Sequence, residues 1–268
     1  MSHPARLLPL IPMALCLAIT SAHAQYFTNH SGYTSTGQYQ VHLELSPYLW
    51  LPVMDGSFSQ PAIQNGASGS SLNSSVHSSF MGGGLLRFGP YSAELGIQYA
   101  EGASSKPAAS APGGTVRLQT SYVRLAPGLG YQIYRGNIFN IPSSADLRAG
   151  FAFYESWWNL NGEGNLTGAP SGGGNFIQPW AGTRIDFIPA PHWRIDLNAL
   201  AQGMGIANGS WGWAASGVIS YAVNDWFDVN AGYSAINTQH GQGGGAPKRT
   251  LELNAYGPVL GVSFRFGG

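Results

Sequence analysis

The segment GPVLGVSFRF, residues 257–266, decides the fold class of this chain. Its apolar side chains Leu260, Val262, Phe264 and Phe266 recur at every second position, with small or polar side chains between them. Successive side chains of a β-strand point to opposite faces, so this period of two describes a strand with one apolar face and one polar face. The end of the chain therefore predicts an amphipathic strand that finishes on an aromatic residue.

The first 24 residues have the pattern of a secretory signal peptide. Arg6 precedes an apolar run at 7–19, which is too short to span a bilayer as a helix. The sequence AHA at 22–24 matches the small-residue pattern of a cleavage site. We expect residues 1–24 to be removed, so that the mature chain begins at Gln25.

The composition argues against an ordinary soluble domain. Charged residues make up 9% of the chain, against about 25% in typical soluble domains. Basic and acidic residues number 12 each, so the near-neutral chain gives no electrostatic case for binding nucleic acid. The one cysteine, Cys16, lies in the predicted signal peptide, which excludes disulfides and thiolate metal sites in the mature chain. Few charges suit a wall that faces lipid, and the sequence indicates no cofactor.

Ten segments of alternating polarity follow a polar N-terminal segment at 25–40. They are, approximately, 41–51, 73–88, 91–100, 116–134, 145–158, 176–188, 192–203, 211–223, 226–236 and 250–266. Short connections with turn residues (88–90, 135–137, 188–192 and 223–225) alternate with long Gly/Ser/Ala-rich ones (54–72, 101–115, 160–175, 204–210 and 237–249). Short periplasmic turns and long external loops are typical of an outer-membrane barrel. We predict an all-β, single-chain, antiparallel up-and-down transmembrane β-barrel over 41–266, with ten strands, or eight or twelve as alternatives.

The two faces of the predicted strands are readable. In 192–203, Trp193, Ile195 and Leu197 alternate with Arg194 and Asp196. An ionised group on the lipid side of a barrel costs about 2–4 kcal/mol at mid-membrane, so the charged face is assigned to the lumen. The predicted lumen charges are Glu94, Arg124, Asp146, Arg148, Arg184, Asp186, Arg194, Asp196, Asp228 and Arg265. They could form a salt-bridge network that fills a narrow barrel, which we favour, or a charged constriction that selects solutes.

Two further features concern the predicted wall. Trp193 and Trp226 each begin a strand after a tight turn and are predicted to lie in an aromatic girdle at the periplasmic interface. Polarity changes phase in two strands, which predicts bulges near Ser121 and Gly257.

Both ends of the predicted barrel resemble the small outer-membrane β-barrel proteins of proteobacteria. The first strand reads SPYLW at 46–50 and is followed by a predicted Asp55-Gly56 turn; the last is GPVLGVSFRF. The resemblance implies the outer membrane of a Gram-negative bacterium, with membrane lipid and lipopolysaccharide as neighbours. It also implies insertion by the barrel-assembly machinery, with Leu260, Val262, Phe264 and Phe266 as the assembly signal. It implies no reaction.

One motif suggests catalysis. Some barrel enzymes that deacylate lipid A use a His-x-Ser pair, and His77-Ser78-Ser79 has this form. A triad also needs a residue that orients the histidine, and only Asn73 and Asp55 are available nearby.

The remaining histidines and loops add no stronger site. His42, His192 and His240 have no metal-site spacing. We predict a structural or narrow-pore, porin-like role without catalysis. The alternatives are a lipid A deacylase type of enzyme using His77 and Ser79, or a surface adhesin or receptor acting through its loops.

Overall fold

The computed structural model describes residues 41–59, 72–107, 115–163, 171–204, 210–242 and 249–267. The predicted signal peptide, the segment 25–40 and the tips of the long connections lie outside these residues. Within them, no helix is long and apolar enough to cross a membrane.

Eleven strands form one antiparallel sheet that closes on itself. They are β1 (Val41–Trp50), β2 (Val53–Ser59), β3 (Leu72–Phe88), β4 (Tyr91–Pro107), β5 (Thr115–Ile138), β6 (Ile141–Glu163), β7 (Ser171–Ala190), β8 (Trp193–Gln202), β9 (Trp211–Asn224), β10 (Phe227–Gln242) and β11 (Arg249–Phe266). From β3 to β11 each strand pairs with the next along the chain, and β1 closes the sheet between β11 and β3.

Strands β1 and β2 are two parts of one wall strand. Both pair with β11 in a single register, with Trp50 opposite Val259 and Val53 opposite Tyr256. Pro52 has no N–H to donate, which interrupts the strand, while the Leu51 N–H still donates to the Pro258 carbonyl at 3.0 Å. The wall therefore has ten strands, and the prediction of a closed ten-stranded up-and-down barrel is confirmed.

Most wall strands extend further than the sequence pattern predicts. Residues 101–107, 160–163, 171–175 and 237–242, all predicted as loop, are strand. The predicted Asp55-Gly56 turn is also wrong, because these residues lie in β2 opposite Asn254 and Leu253. The Ser-, Gly- and Ala-rich sequence of these extensions carries little polarity contrast between neighbours, so periodicity gives no signal there.

The predicted turn at 135–137 and both predicted bulges are wrong. The β5–β6 turn lies at Phe139 and Asn140, which both have positive φ angles (53° and 64°). Pairing is continuous through Ser121 and through Gly257. Register shifts occur instead at 76–78 in β3, 132–134 in β5, 187–190 in β7 and 227–228 in β10. Tyr122 faces inward without a bulge, because the inner wall near the long connections is apolar. An apolar residue at an inward position there changes the polarity pattern of β5 but not its pairing.

The outer wall is an apolar belt between two aromatic girdles. The turn-side girdle contains Tyr91, Tyr131, Trp193, Tyr221 and Trp226, and the loop-side girdle contains Trp157, Trp211, Trp213 and Tyr256, all exposed. Exposed residues between the girdles include Leu95, Leu125, Leu129, Phe151, Ile177, Leu197, Ile219, Val229 and Leu260. In β9, Trp213 lies in one girdle and Tyr221 in the other, so nine residues span the belt. This length matches the 9–11 residues that a tilted transmembrane strand needs.

Candidate functional site

The inner wall of the turn-side half carries a cluster of ionised side chains, which we call the lumen charge network. Strand alternation turns them inward while their apolar neighbours face outward. All ten predicted residues face the lumen, with Arg124 nearest the loops beside Tyr122 and Ala126, and the structure adds two: the network comprises Glu44, Arg87, Glu94, Arg124, Asp146, Arg148, Arg184, Asp186, Arg194, Asp196, Asp228 and Arg265. Glu44 alternates with Leu43 and Leu45, and Arg87 lies between outward-facing Leu86 and Phe88, so the same parity rule would have found both.

The longest connection in the network joins β8 to β1. Arg194 Nη1 and Nη2 donate to the two carboxylate oxygens of Glu44, each at 2.7 Å. Three wall strands separate β8 from β1, so this bidentate pair crosses the lumen. Ser46 Oγ also donates to Glu44 at 3.2 Å. Asp228 accepts from Arg265 and lies 4.0 Å from Arg194, which joins two further strands to the same group.

Two more pairs join β6 to strands that are not its neighbours. Arg87 on β3 forms a salt bridge with Asp146, and Arg148 Nη1 donates to Glu94 on β4 at 2.7 Å. Gly130 on β5 lies between β4 and β6, and a Cβ there would meet the Arg148 side chain at 3.2 Å. The glycine therefore leaves the space through which Arg148 reaches Glu94.

The β7–β8 hairpin holds two carboxylates against one guanidinium. Asp186 and Asp196 are directly opposite in the register, and Arg184 contacts both, with its Nε 3.3 Å from Asp186. Asn198 donates to Asp196, and Ser144 Oγ donates to Asp186 at 3.4 Å. Hydrogen bonds from uncharged neighbours thus supplement the single positive charge.

An aromatic layer fills the lumen on the loop side of the charge network. Trp50 is completely buried (0% exposed) and packs with inward-facing side chains of several strands, which are Ala100, Tyr122, Val218, Ile236, Ala255 and Val259. Trp180, 3% exposed, packs with Ala126, Ala152 and Tyr154. Tyr154 Oη donates to Gln202 at 2.7 Å. The lumen is therefore occupied at two levels, ionic on the turn side and aromatic on the loop side.

A cavity of about 230 Å³ adjoins both layers. Its lining includes Arg124 and Arg148 from the charge network and Trp180 from the aromatic layer. Gly83 on β3 and Gly96 on β4 are paired and also line it, and a Cβ on either would meet no atom closer than 3.8 Å. The cavity thus extends over a stretch of wall where two strands lack side chains.

The predicted girdle and assembly-signal residues lie on the outer face. Trp193 contacts Tyr221 with ring centroids 5.0 Å apart, and Trp226 stacks on Phe264 at 6.2 Å. Leu260, Val262, Phe264 and Phe266 share the outward parity of β11. Phe264 therefore belongs both to the predicted signal and to the turn-side aromatic contacts.

The candidate catalytic motif lies where β3 has an extra residue. The register against β4 shifts between Val76 and Ser78, so His77 occupies a bulge. Ser79 is buried, and its Oγ donates to the Trp50 carbonyl. The side chain of His77 lies outside the described residues. Among the described residues, no group of three His, Cys, Asp or Glu side chains could hold a metal ion.

Comparison with solved structures identifies outer-membrane β-barrels as structural neighbours. The outer-membrane protease OmpT from Escherichia coli aligns with a TM-score of 0.50 and 8% identity, over 85% of this chain and 97% of that one. OprG from Pseudomonas aeruginosa (TM-score 0.40, 11% identity, 88% and 98%) and Ail from Yersinia pestis (0.38, 10%, 85% and 99%) also match. No protein-family model matches the chain, and no curated protein matches it by sequence. At these identities the likeness concerns the fold, which is that of an outer-membrane β-barrel.

Proposed function

We propose that this protein is an integral outer-membrane β-barrel with a closed lumen and a structural role, and that it catalyses no reaction. The observation that carries the proposal is the filling of the lumen at two levels. Five buried or nearly buried arginines and six carboxylates form salt bridges in the turn-side half, and two buried tryptophans occupy the loop-side half. A ten-stranded wall encloses little more than its own side chains.

The outer wall supports a membrane location. Its belt of exposed leucine, isoleucine, valine and phenylalanine side chains is continuous around the barrel, and a soluble monomer rarely exposes so large an apolar surface. In a bilayer this belt contacts lipid, and the closed sheet pairs the backbone groups that lipid would leave unsatisfied. Membrane lipid and lipopolysaccharide are the neighbours we propose, in the outer membrane of a Gram-negative bacterium.

The proposed route to that membrane uses both ends of the chain. Removal of residues 1–24 would deliver the chain to the periplasm, and the aromatic end of β11 would engage the barrel-assembly machinery. Pairing of β11 with β1 is the contact that closes the wall, so recognition of β11 before closure is consistent with its place in the fold.

The lipid A deacylase alternative finds little support in the position of Ser79. A nucleophile for a lipid of the outer leaflet must face the lipid, whereas the Ser79 hydroxyl is buried and donates to a backbone carbonyl. We therefore expect the lipid A acylation pattern, measured by mass spectrometry, to be the same with wild type and with Ser79→Ala. A change in acylation that depends on Ser79 would instead support the lipid A deacylase alternative. The adhesin alternative depends on loop tips outside the described residues.

Planar-bilayer recording of refolded protein tests the closed lumen. We expect no steady current from wild type, from Trp50→Ala alone or from the double variant Glu44→Ala/Arg194→Ala, because each leaves the other layer in place. The triple variant that opens both layers should conduct. Trp193→Ala, which removes a tryptophan from the outer girdle, is the matched control and should stay silent. A steady, ion-selective wild-type current that Asp196→Ala alters without loss of stability would replace this proposal with the narrow pore.

A further inference from the structure

One arginine of the lumen charge network has no carboxylate partner. Arg87, Arg148, Arg184, Arg194 and Arg265 each form a salt bridge with an aspartate or glutamate. The sixth network arginine, at position 124, has none among the described residues, although it is only 6% exposed.

The surroundings of Arg124 hold the guanidinium in place without neutralising it. Its Nε donates to Tyr154 Oη at 3.0 Å, and its Cζ lies 5.7 Å from the centre of the Tyr154 ring. Its Nη2 is buried and has no hydrogen-bond partner among the described residues. A buried charge without a counter-charge is strongly unfavourable unless something else compensates it. Among the described residues, no acceptor reaches this Nη2, so the guanidinium can take a further partner.

Other donors without acceptors line the same cavity as Arg124. The indole Nε1–H of Trp180 and the Nε–H of Arg148 are both buried with no partner in the part of the chain that the structure describes. Gln98, opposite Arg124 in the β4–β5 register, lines the cavity too, and its Oε1 lacks a donor. Side chains from β5, β6 and β7 thus bring two guanidinium groups and an indole to the border of one space. Arg124, whose charge no carboxylate among the described residues balances, is the group there that would bind an anion.

The carboxylates Glu44, Glu94 and Asp196 also line the cavity, but the part of it beside Arg124 suits a short apolar body. Gly96 lies beside the guanidinium, since a Cβ there would be 4.0 Å from Arg124 Nη1, and Gly83 continues this bare wall on β3. Met81, Val218 and Val259 supply apolar surface around it. A cavity of about 150 Å³ holds a benzene ring, so about 230 Å³ accommodates a ring bearing one carboxylate.

We propose that this cavity binds a small organic monocarboxylate. The carboxylate pairs with the Arg124 guanidinium, and the apolar body lies over Gly83 and Gly96. The inference does not depend on whether the lumen conducts, because a ligand site in a closed barrel and one in a narrow pore would use the same groups.

Benzoate is the probe that tests the charge requirement. Protein is refolded in its presence, so that access to the lumen does not limit binding, and the affinity is measured by calorimetry in detergent. We expect saturable binding that weakens at least about tenfold in Arg124→Gln, the loss of a charge-assisted hydrogen bond. Arg135→Gln removes an exposed arginine from the same strand and should leave the affinity unchanged. Benzamide, the neutral isostere, should bind at least about tenfold more weakly.

A second variant tests the space independently of the charge. Gly83→Leu fills the cavity while keeping Arg124, so we expect it to abolish benzoate binding in a folded barrel. It also serves if Arg124→Gln fails to fold. The proposal is overturned if wild type shows no saturable binding, if Gly83→Leu binds as wild type does, or if chloride competes as strongly as benzoate. The last result would reassign the site to an inorganic ion.

Discussion

Removal of Glu44 is the sharpest test of the cross-linked lumen. The carboxylate accepts two hydrogen bonds from Arg194 at 2.7 Å and one from Ser46 at 3.2 Å, and both members of the pair are more than nine-tenths buried. Glu44→Ala leaves the guanidinium with Asp228 at 4.0 Å as its remaining counter-charge, and Asp228 already binds Arg265.

The expected loss follows from the burial of this pair. Removing one partner of a fully buried salt bridge costs about 3–5 kcal/mol, since the other charge stays behind in a poor solvent. Both groups line the cavity, where water can partly solvate the orphaned charge, so we expect the lower end of that range. A loss of about 3 kcal/mol lowers the folding equilibrium constant by more than a hundredfold.

Replacing both partners separates the interaction from the size of the side chains. Glu44→Ala and Arg194→Ala should each lose about 3 kcal/mol, whereas the double variant should lose much less than the sum, because no charge is left without its partner. Urea titration of barrels refolded in lipid, followed by tryptophan fluorescence and by heat-modifiable gel mobility, gives the free energies of unfolding. Asp225→Ala removes an exposed carboxylate from a short turn and should stay within about 0.5 kcal/mol of wild type. A Glu44→Ala loss below about 1 kcal/mol, or strictly additive losses, would refute the reasoning.

Three further predictions concern packing, assembly and orientation. Gly128→Ala should lower the urea midpoint, because its Cβ would overlap the Trp180 indole, whereas Gly83→Ala projects into open space and should leave it unchanged; equal midpoints would contradict the described packing. Phe264→Asp should send the chain to periplasmic proteases, while deletion of the two terminal glycines should leave a heat-modifiable barrel on gels. Equal yields of folded barrel from the two variants would contradict the predicted assembly signal. A cysteine at Ser171, on the loop side, should react with an impermeant thiol reagent on intact cells, and one at Asp225, in a short turn, only after the outer membrane is opened; the reverse pattern would invert the proposed orientation.

The sequence determines which face a residue occupies better than it determines its partner. Alternation is a local property, so it placed all ten predicted charges on the inner wall, and with the same rule Glu44 would have joined them. The partnership of Glu44 with Arg194 joins residues 150 positions apart and depends on strand number, tilt and register around the whole barrel. No local pattern contains that information, which explains why the predicted hairpin charges did not reveal the pair that crosses the lumen.

The wrong boundaries and bulges have a common physical origin. Periodicity marks a strand only where its two faces meet different surroundings. At Tyr122 an apolar side chain faces an apolar inner layer, which the sequence pattern presents as a change of phase. In the extensions beyond the loop-side girdle, runs of small residues such as 171–174 give neither face a distinctive polarity, and these strands were predicted as loops.

Arg124, the network arginine without a carboxylate partner, is as informative as the paired arginines. Among the described residues the lumen charge network contains six arginines and six carboxylates, yet Arg184 contacts two aspartates and Arg124 contacts none. A network that served only to fill the barrel would gain by distributing its carboxylates evenly, because an orphaned buried charge costs more than a shared one contributes. The unpaired guanidinium instead faces the one stretch of described wall where paired glycines, Gly83 and Gly96, leave the inner surface bare. The absent counter-charge of Arg124 and the absent side chains at Gly83 and Gly96 therefore occur at one place. A ligand with a negative charge and an apolar body would compensate for both.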